Sequence, residues 1–490
     1  MNWSSLQNGS DIRGVALEGV ADEPVTLTPD IARTLGWAFA DWIKEESGIS
    51  QPRISIGHDS RCSASSLKQG VAEGIELSDG SVGDCGLAST PAMFMSTVFE
   101  PHAYEGAIML TASHLPFNRN GLKFFTRAGG LDKKDLPSIL KRAEQKGLLE
   151  AQLLVRTETT ELMPDYSAHL VSIIRAGTGM EKPLDGLHII VDAGNGAGGF
   201  FVEQILQPLG ADTTGSQFLE PDGMFPNHIP NPEDAAAMSA MVEAVRQQKA
   251  DFGIIFDTDV DRAGAVDKKG NPINRNRFIA LMAAIVLEEH PGTTVVTDSV
   301  TSSGLKQWIE SLGGIHHRFK RGYRNVINES IRLNESGVSS ELALETSGHG
   351  ALKENYFLDD GAYQIAKILV KLAQLHHTQA GTIDTLIESL QEPAEALEIR
   401  PKIKVADFSA YADQVLEAFV DYVEAQEDWE RTPDNFEGVH VTVPNGWILV
   451  RKSLHDPQMP INIESNLEGG ATALKQQVVA FLAAFDALEF

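Results

Sequence analysis

Three apolar stretches, spaced roughly one domain apart, each end in an aspartate flanked by small or polar residues. They read ISIGHDS at Asp59, IIVDAGNG at Asp192 and VVTDSVTSSG at Asp298. A short β-branched run that stops at a polar loop is the carboxyl end of an α/β-sheet strand. Aspartates are common at such ends, and their spacing here is compatible with three similarly built α/β units. Helical periodicity at 29–46, 233–248, 278–289, 362–375 and 472–488 alternates with strand candidates at 54–57, 107–110, 188–191, 253–256, 294–297, 439–443 and 447–451. After about residue 393 the pattern becomes helix, two adjacent strands, then a final helix, which suggests a smaller fourth domain. A chain of 490 residues is long enough for several cores.

Charge narrows the function. Forty Lys and Arg against 68 Asp and Glu give a net charge of -28, which disfavours nucleic acid and anionic lipid as partners. The apolar stretch 278–287 is too short to span a bilayer and reads as a buried helix. The start, MNWSSLQNGS, lacks the features of a secretory signal. Cys62 and Cys85 have neither framework nor metal spacing, so both are expected to be small buried residues in a reducing compartment, the cytoplasm by default.

Several loops carry chemistry. TASHLPFNRNGLK (111–123) follows an apolar strand and exposes Ser113 between small residues, with His114 and Lys123 nearby. GIIFDTDVDR (253–262) puts Asp257, Asp259 and Asp261 at alternating positions, an oxygen donor set for one hard cation, with Mg²⁺ favoured. LETSGH (344–349) offers Glu345 and Ser347 to sugar hydroxyls and His349 as an acid or base. WILVRKSLH (447–455) delivers Arg451, Lys452, Ser453 and His455, groups suited to a phosphate. HRFKRGYR (317–324) concentrates four cations, Arg321 and Arg324 among them, in an acidic protein.

Together these loops resemble the α-D-phosphohexomutase family nearly end to end. SDIRG (10–14), GHDSR (57–61), GLASTP (86–91), VDAGNGAG (191–198) and PDGMFP (221–226) fall in family order around them. The resemblance implies an α/β chain of three similar α/β domains plus a smaller C-terminal α+β domain around a central cleft. The boundaries expected are 1–158 (phosphoserine), 159–272 (metal), 273–393 (sugar) and 394–490 (phosphate). It implies a cytoplasmic phosphohexomutase, monomer or homodimer, that interconverts hexose 1-phosphate and 6-phosphate through a phosphoserine at Ser113 and a bisphosphorylated intermediate. Mg²⁺ and a hexose 1,6-bisphosphate activator are the implied cofactors.

The roles carried over follow the motifs. Ser113, His114, Lys123, Arg13 and His349 are catalytic. Ser113, Asp257, Asp259 and Asp261 hold the metal. Arg262, Arg324, Glu345, Ser347, Arg451, Lys452, Ser453 and His455 bind substrate. Those cations are expected to make a locally positive site in an acidic protein. Two loops depart from the family pattern. The phosphate loop has Leu454, His455 and Pro460 where the family reads Gly, Thr and Arg. Leu344 and Thr346 make the sugar loop atypical, so that loop does not assign the substrate; from the resemblance, glucose or mannose phosphate is expected, with glucosamine phosphate the alternative. Two rivals remain at this level: a homologue that binds sugar phosphate without turnover, and a haloacid-dehalogenase-type phosphatase with Asp257 as nucleophile and LDDG (358–361) as its acidic motif.

Overall fold

The computed structural model describes residues 2–100, 102–150, 157–433, 435–453 and 456–490. The chain divides into two compact units, Met1–Phe278 with Ser347–Thr385, and Ile279–Thr346 with Leu386–Phe490.

In the first unit, Gly106–Leu110, Arg53–His58, Ser81–Leu87 and Thr157–Thr159 form the parallel part of an eight-stranded sheet. The apolar run of Gly106–Leu110, buried throughout, fits a strand covered on both faces. Arg119–Thr126 and Asp11–Val15 extend the sheet antiparallel. Helix Pro29–Ser47, capped by Thr28, packs on this sheet with Ala64–Leu77 and Leu136–Lys146, burying Phe39, Leu67 and Ile139. The parallel pair Arg53–His58 and Gly106–Leu110 sets Asp59 and the 111–114 loop side by side. In Arg119–Thr126, Leu122 and Phe124 join the core below, so alternation turns Lys123 to the other face. Gly121 is required there: a Cβ would lie 2.2 Å from the carbonyl oxygen of Ile12, on the strand that carries Arg13.

A second sheet in this unit runs Pro272–Ile273, Ala263–Asp267, Phe252–Phe256, Ile189–Asp192, with only the last pair parallel. Phe256 pairs with Ala263, so DTDVDR is the six-residue turn of an antiparallel hairpin. The returning segment adds the hairpin Gly350–Leu352/Leu358–Asp359 and helix Gly361–Thr378.

In the second unit, Thr294–Thr297 lies parallel to both Ile315–Arg318 and Leu342–Leu344. A separate antiparallel sheet runs Glu395–Ile399, Ile461–Ser465, Gly446–Val450, Val439–Val443, Glu430–Arg431. Helices Phe408–Glu424 and Gly470–Leu482 share its core through Phe419, Val441, Ile448 and Val478.

Three expectations need correction. The last helix stops at Leu482, because Leu488–Glu489 pairs as a strand with Lys402–Ile403. The C-terminal sheet has five strands rather than two; Glu395–Ile399 and Ile461–Ser465 carry acids that masked their alternation. Cys85 is buried but Cys62 is exposed, since Arg61 turns inward and leaves its neighbour facing out. The stretch 278–287 is buried as expected, apart from the half-buried Ala284. No helix among the described residues is long and apolar enough to cross a membrane.

Candidate active site

The first unit brings Ser113, His114, Lys123, Asp257, Asp259, Asp261, Arg262 and His349 into one buried cluster. Ser113 has a φ of 49°, the left-handed region that costs a side-chain-bearing residue about 1–2 kcal/mol. Thr111 Oγ1 accepts from its amide at 2.9 Å. The Ser113 hydroxyl donates to Asp257 Oδ2 at 2.9 Å and accepts from Arg262 Nη2 at 2.8 Å. A hydroxyl held between a carboxylate and a guanidinium is positioned for phosphoryl chemistry: the acid can take its proton and the cation can bind transferred oxygens.

Arg61 fixes this loop. Its side chain is fully buried and donates to the carbonyl oxygens of Ser113, Leu115 (2.6 Å), Pro116 (2.8 Å) and Arg119 (2.8 Å). Asp59, also fully buried, stands behind it at 3.3 Å. Reading GHDSR as a motif gave Arg61 no such role; an arginine two residues beyond a strand-end aspartate was its only sequence signal.

The acidic turn is tied down from several sides. Thr90, in the GLASTP segment, donates its hydroxyl to Asp259 Oδ2 at 2.5 Å and its amide to the Asp259 carbonyl at 2.8 Å. Lys123 Nζ lies 3.1 Å from Asp259 Oδ2 and 2.5 Å from Asp261 Oδ2. Arg262 reaches Asp257 Oδ2 with Nη2 at 3.0 Å and Asn231 Oδ1 with Nη1 at 3.2 Å. Ligand atoms of Asp257, Asp259 and Asp261 lie within 4.8 Å of one another. Among the described residues, Asp259 Oδ1 and Asp261 Oδ1 are buried without a hydrogen-bond partner. Burial, with Asp261 as the next cause, pushes the Asp257 carboxyl well above its usual range. Lys123 and Arg262 face the three carboxylates, with His349 Nδ1 3.8 Å from Asp261 Oδ1, and among the described residues two carboxylate oxygens accept no hydrogen bond. This donor set fits a hard divalent cation.

The two histidines differ. Burial, then Arg262 and Arg13, lower His114 to about 3, so it is neutral near pH 7. Arg262 Nη2 donates to its Nδ1 at 2.7 Å; an arginine only donates, which leaves the His114 proton on Nε2. Burial alone would lower His349 as well, but the Asp359 and Asp261 carboxylates raise it to about 9. Its Nδ1 lies 2.6 Å from Asp359 Oδ2, so His349 is an imidazolium able to give a proton. Gly348, at φ 93°, sits where a Cβ would approach the Ala263 carbonyl to 2.9 Å, and His349 bridges to Arg262 through the backbone.

LDDG has structural employment that the phosphatase reading did not foresee. Asp359 orients His349, while Asp360 caps helix Gly361–Thr378 and accepts from Tyr166 Oη at 2.7 Å. Arg13 is held by Asp11 at 2.8 Å.

In the second unit, Glu345 Oε1 accepts from the Gly322 amide at 2.5 Å, and Arg451 lies 3.6 Å from Glu437. Arg324 stacks on Tyr323 at 5.6 Å. Ser453 accepts from the Asp456 amide at 3.1 Å. Lys452 turns away from Arg451 to pair with Asp413 at 2.7 Å. Ser347 falls in the first unit with His349. His455 and Leu454 lie outside the described residues. The expected local positive charge is therefore tempered: Arg13, Lys123, Arg262, Arg451 and Lys452 each face a carboxylate.

Comparison with known proteins agrees with this geometry. Residues 4–149, 164–270 and 274–393 match the phosphoglucomutase/phosphomannomutase α/β/α domains I, II and III. A phosphomannomutase/phosphoglucomutase of Pseudomonas syringae pv. tomato is 30% identical over 460 residues, covering 94% of this chain and 90% of that protein. A phosphoglucomutase of Neisseria gonorrhoeae is 28% identical, covering 96% and 95%. The crystal structure of a phosphoglucomutase/phosphomannomutase family protein from Burkholderia thailandensis superposes with a TM-score of 0.80 at 25% identity, covering 99% of each chain. The chain belongs to the phosphoglucomutase/phosphomannomutase family of α-D-phosphohexomutases, whose members are intramolecular phosphotransferases. That membership, with LDDG accounted for, removes the phosphatase reading.

Proposed function

We propose that this chain interconverts the 1- and 6-phosphates of glucose or mannose through a phosphorylated Ser113. The observation that carries this reading is the Ser113 hydroxyl, held in a left-handed turn between Asp257 and Arg262. In the first half-reaction the bond between phosphorus and Ser113 oxygen breaks as a sugar hydroxyl forms the new bond. The sugar hydroxyl loses its proton and the departing serine oxygen is stabilised. The proton that leaves the sugar hydroxyl passes to the neutral form of Lys123 or His349 and ends on the released serine oxygen, while Arg262 steadies the transferred oxygens. The resulting bisphosphate turns over in the site and returns its other phosphate to Ser113.

Asp257, Asp259 and Asp261, with a phosphate oxygen on Ser113, would hold Mg²⁺. When bound, that ion supplies positive charge against a phosphoserine carrying about −1.5 to −2. Glu345 and Ser347 serve the sugar hydroxyls; Arg324, Arg451 and Ser453 serve the distal phosphate. A hexose 1,6-bisphosphate restores phosphoserine lost to hydrolysis. A cytoplasmic monomer or homodimer suits such small-molecule work.

The test is a coupled mutase assay with Mg²⁺ and a bisphosphate activator across glucose, mannose, glucosamine and N-acetylglucosamine phosphates. Turnover is expected with glucose or mannose phosphate and absent in Ser113→Ala. Preference for an amino sugar would overturn the substrate assignment. No turnover with any of the four would favour a binding-only protein.

A further inference from the structure

Arg451 is nine-tenths buried, and what it faces is a glutamate of its own chain. Its Nη1 lies 3.6 Å from Glu437 Oε1, and its buried Nε has no hydrogen-bond partner among the described residues. The second Glu437 oxygen, Oε2, accepts from Ser299 Oγ at 2.5 Å and from the Arg321 amide at 3.1 Å. The next amide, of Gly322, also donates to a carboxylate, Glu345. Two successive amides, of Arg321 and Gly322, thus each donate to a carboxylate, Glu437 and Glu345, and backbone amides of this kind also serve oxyanions. Add a serine hydroxyl and a guanidinium, and the donors around Glu437 are those a phosphate would use.

The segment bearing Glu437 is docked rather than built in. Phe436 packs on His317 and Phe319, with ring centroids 5.2 and 5.0 Å apart, yet remains 40% exposed. Asn435 braces the turn by donating to the carbonyls of Glu437 and Gly438, both at 2.9 Å. Burial keeps the Arg451 pKa below its ordinary value even with Glu437 beside it.

We infer that the Glu437 carboxylate is an internal anion that competes with substrate phosphate for Arg451, Ser299 and the Arg321 amide. Phosphate displaces it and loosens residues 435–438. This rests on the reading of the Arg451 loop as the phosphate loop. A glutamate that merely orients the guanidinium would have the opposite effect on affinity.

Inorganic phosphate titrated calorimetrically into the full-length protein separates the two. Comparing wild type with Arg451→Ala isolates the Arg451-dependent component; Arg451→Gln serves if the alanine variant does not fold. Glu437→Gln should tighten that component about tenfold, equivalent to about 1.4 kcal/mol, and lower the KM for sugar phosphate. In wild type, saturating phosphate should speed hydrogen exchange at 435–438. Unchanged or weaker phosphate affinity in Glu437→Gln, with binding lost in Arg451→Ala, would overturn the competition and leave the phosphate loop standing. Phosphate affinity unaffected by Arg451→Ala would overturn both.

Discussion

Arg61→Ala strikes the structure behind Ser113 without touching its hydroxyl, the group proposed to carry the phosphate. It removes the donor to four loop carbonyls and strips the fully buried Asp59 of its nearest cation. Breaking a buried pair by removing one partner costs about 3–5 kcal/mol. Orphaned carbonyls add to that cost, though not additively, because the loop can shift to find water. With a urea slope of about 2 kcal/mol per molar, the midpoint should fall by about 2 M. Trp3, Trp37 and Trp42 lie in the affected unit and report on it by fluorescence. Activity should fall through kcat: with the clamp gone, Ser113 can leave its left-handed conformation, and a 1 Å misplacement costs about 10²-fold. KM should change little, because Arg61 is enclosed by protein. Asp59→Asn, a milder cut at the same pair, should show the same kcat-weighted loss. A midpoint within about 0.5 M of wild type, or an undiminished kcat in both variants, would refute the clamp.

Other consequences are more direct. Chelation should abolish turnover and Mg²⁺ should restore it, while Asp259→Ala should lose activity that added Mg²⁺ does not recover; full activity in chelator would refute the metal site. Arg451→Ala should raise the KM for sugar phosphate by an amount equivalent to about 1.5–3 kcal/mol for a charged hydrogen bond, measured by steady-state kinetics. Gly348→Ala should lower both thermal stability and kcat, since its Cβ would press on the Ala263 carbonyl at a φ of 93°. His440 is lowered to about 3 by burial and then Arg318. Its contribution to stability is therefore present above about pH 6.5 and lost as pH falls toward 3, because the unfolded state binds the proton first. Thermal unfolding between pH 7 and 4 should show that loss, and His440→Asn should lessen it.

Much of the site could be read from sequence because its parts are contiguous. TASHLP and DTDVDR are turns that follow apolar strands, so residue order alone placed Ser113 and the three aspartates on loops. What sequence could not show is who faces whom. Arg61 and Ser113 are 52 positions apart, and only the parallel pairing of Arg53–His58 with Gly106–Leu110 makes them neighbours. Asp359 looked like part of a phosphatase motif until the returning hairpin set it against His349. Lys452 follows Arg451 directly, yet the two side chains reach different carboxylates, Asp413 and Glu437. The edge strand Glu395–Ile399 of the C-terminal sheet was missed because its two glutamates, half-buried Glu395 and exposed Glu398, blur an apolar signal.

The central claim is that Ser113 carries the phosphate. Full-length protein incubated with glucose 1,6-bisphosphate and Mg²⁺, then digested and mapped by mass spectrometry, should show one added phosphate on the peptide containing Ser113. The Ser113→Ala protein should show none and have no mutase turnover. A serine phosphate is stable to acid and to hydroxylamine, so a hydroxylamine-sensitive acyl phosphate at Asp257, with Ser113→Ala still active, would contradict the account.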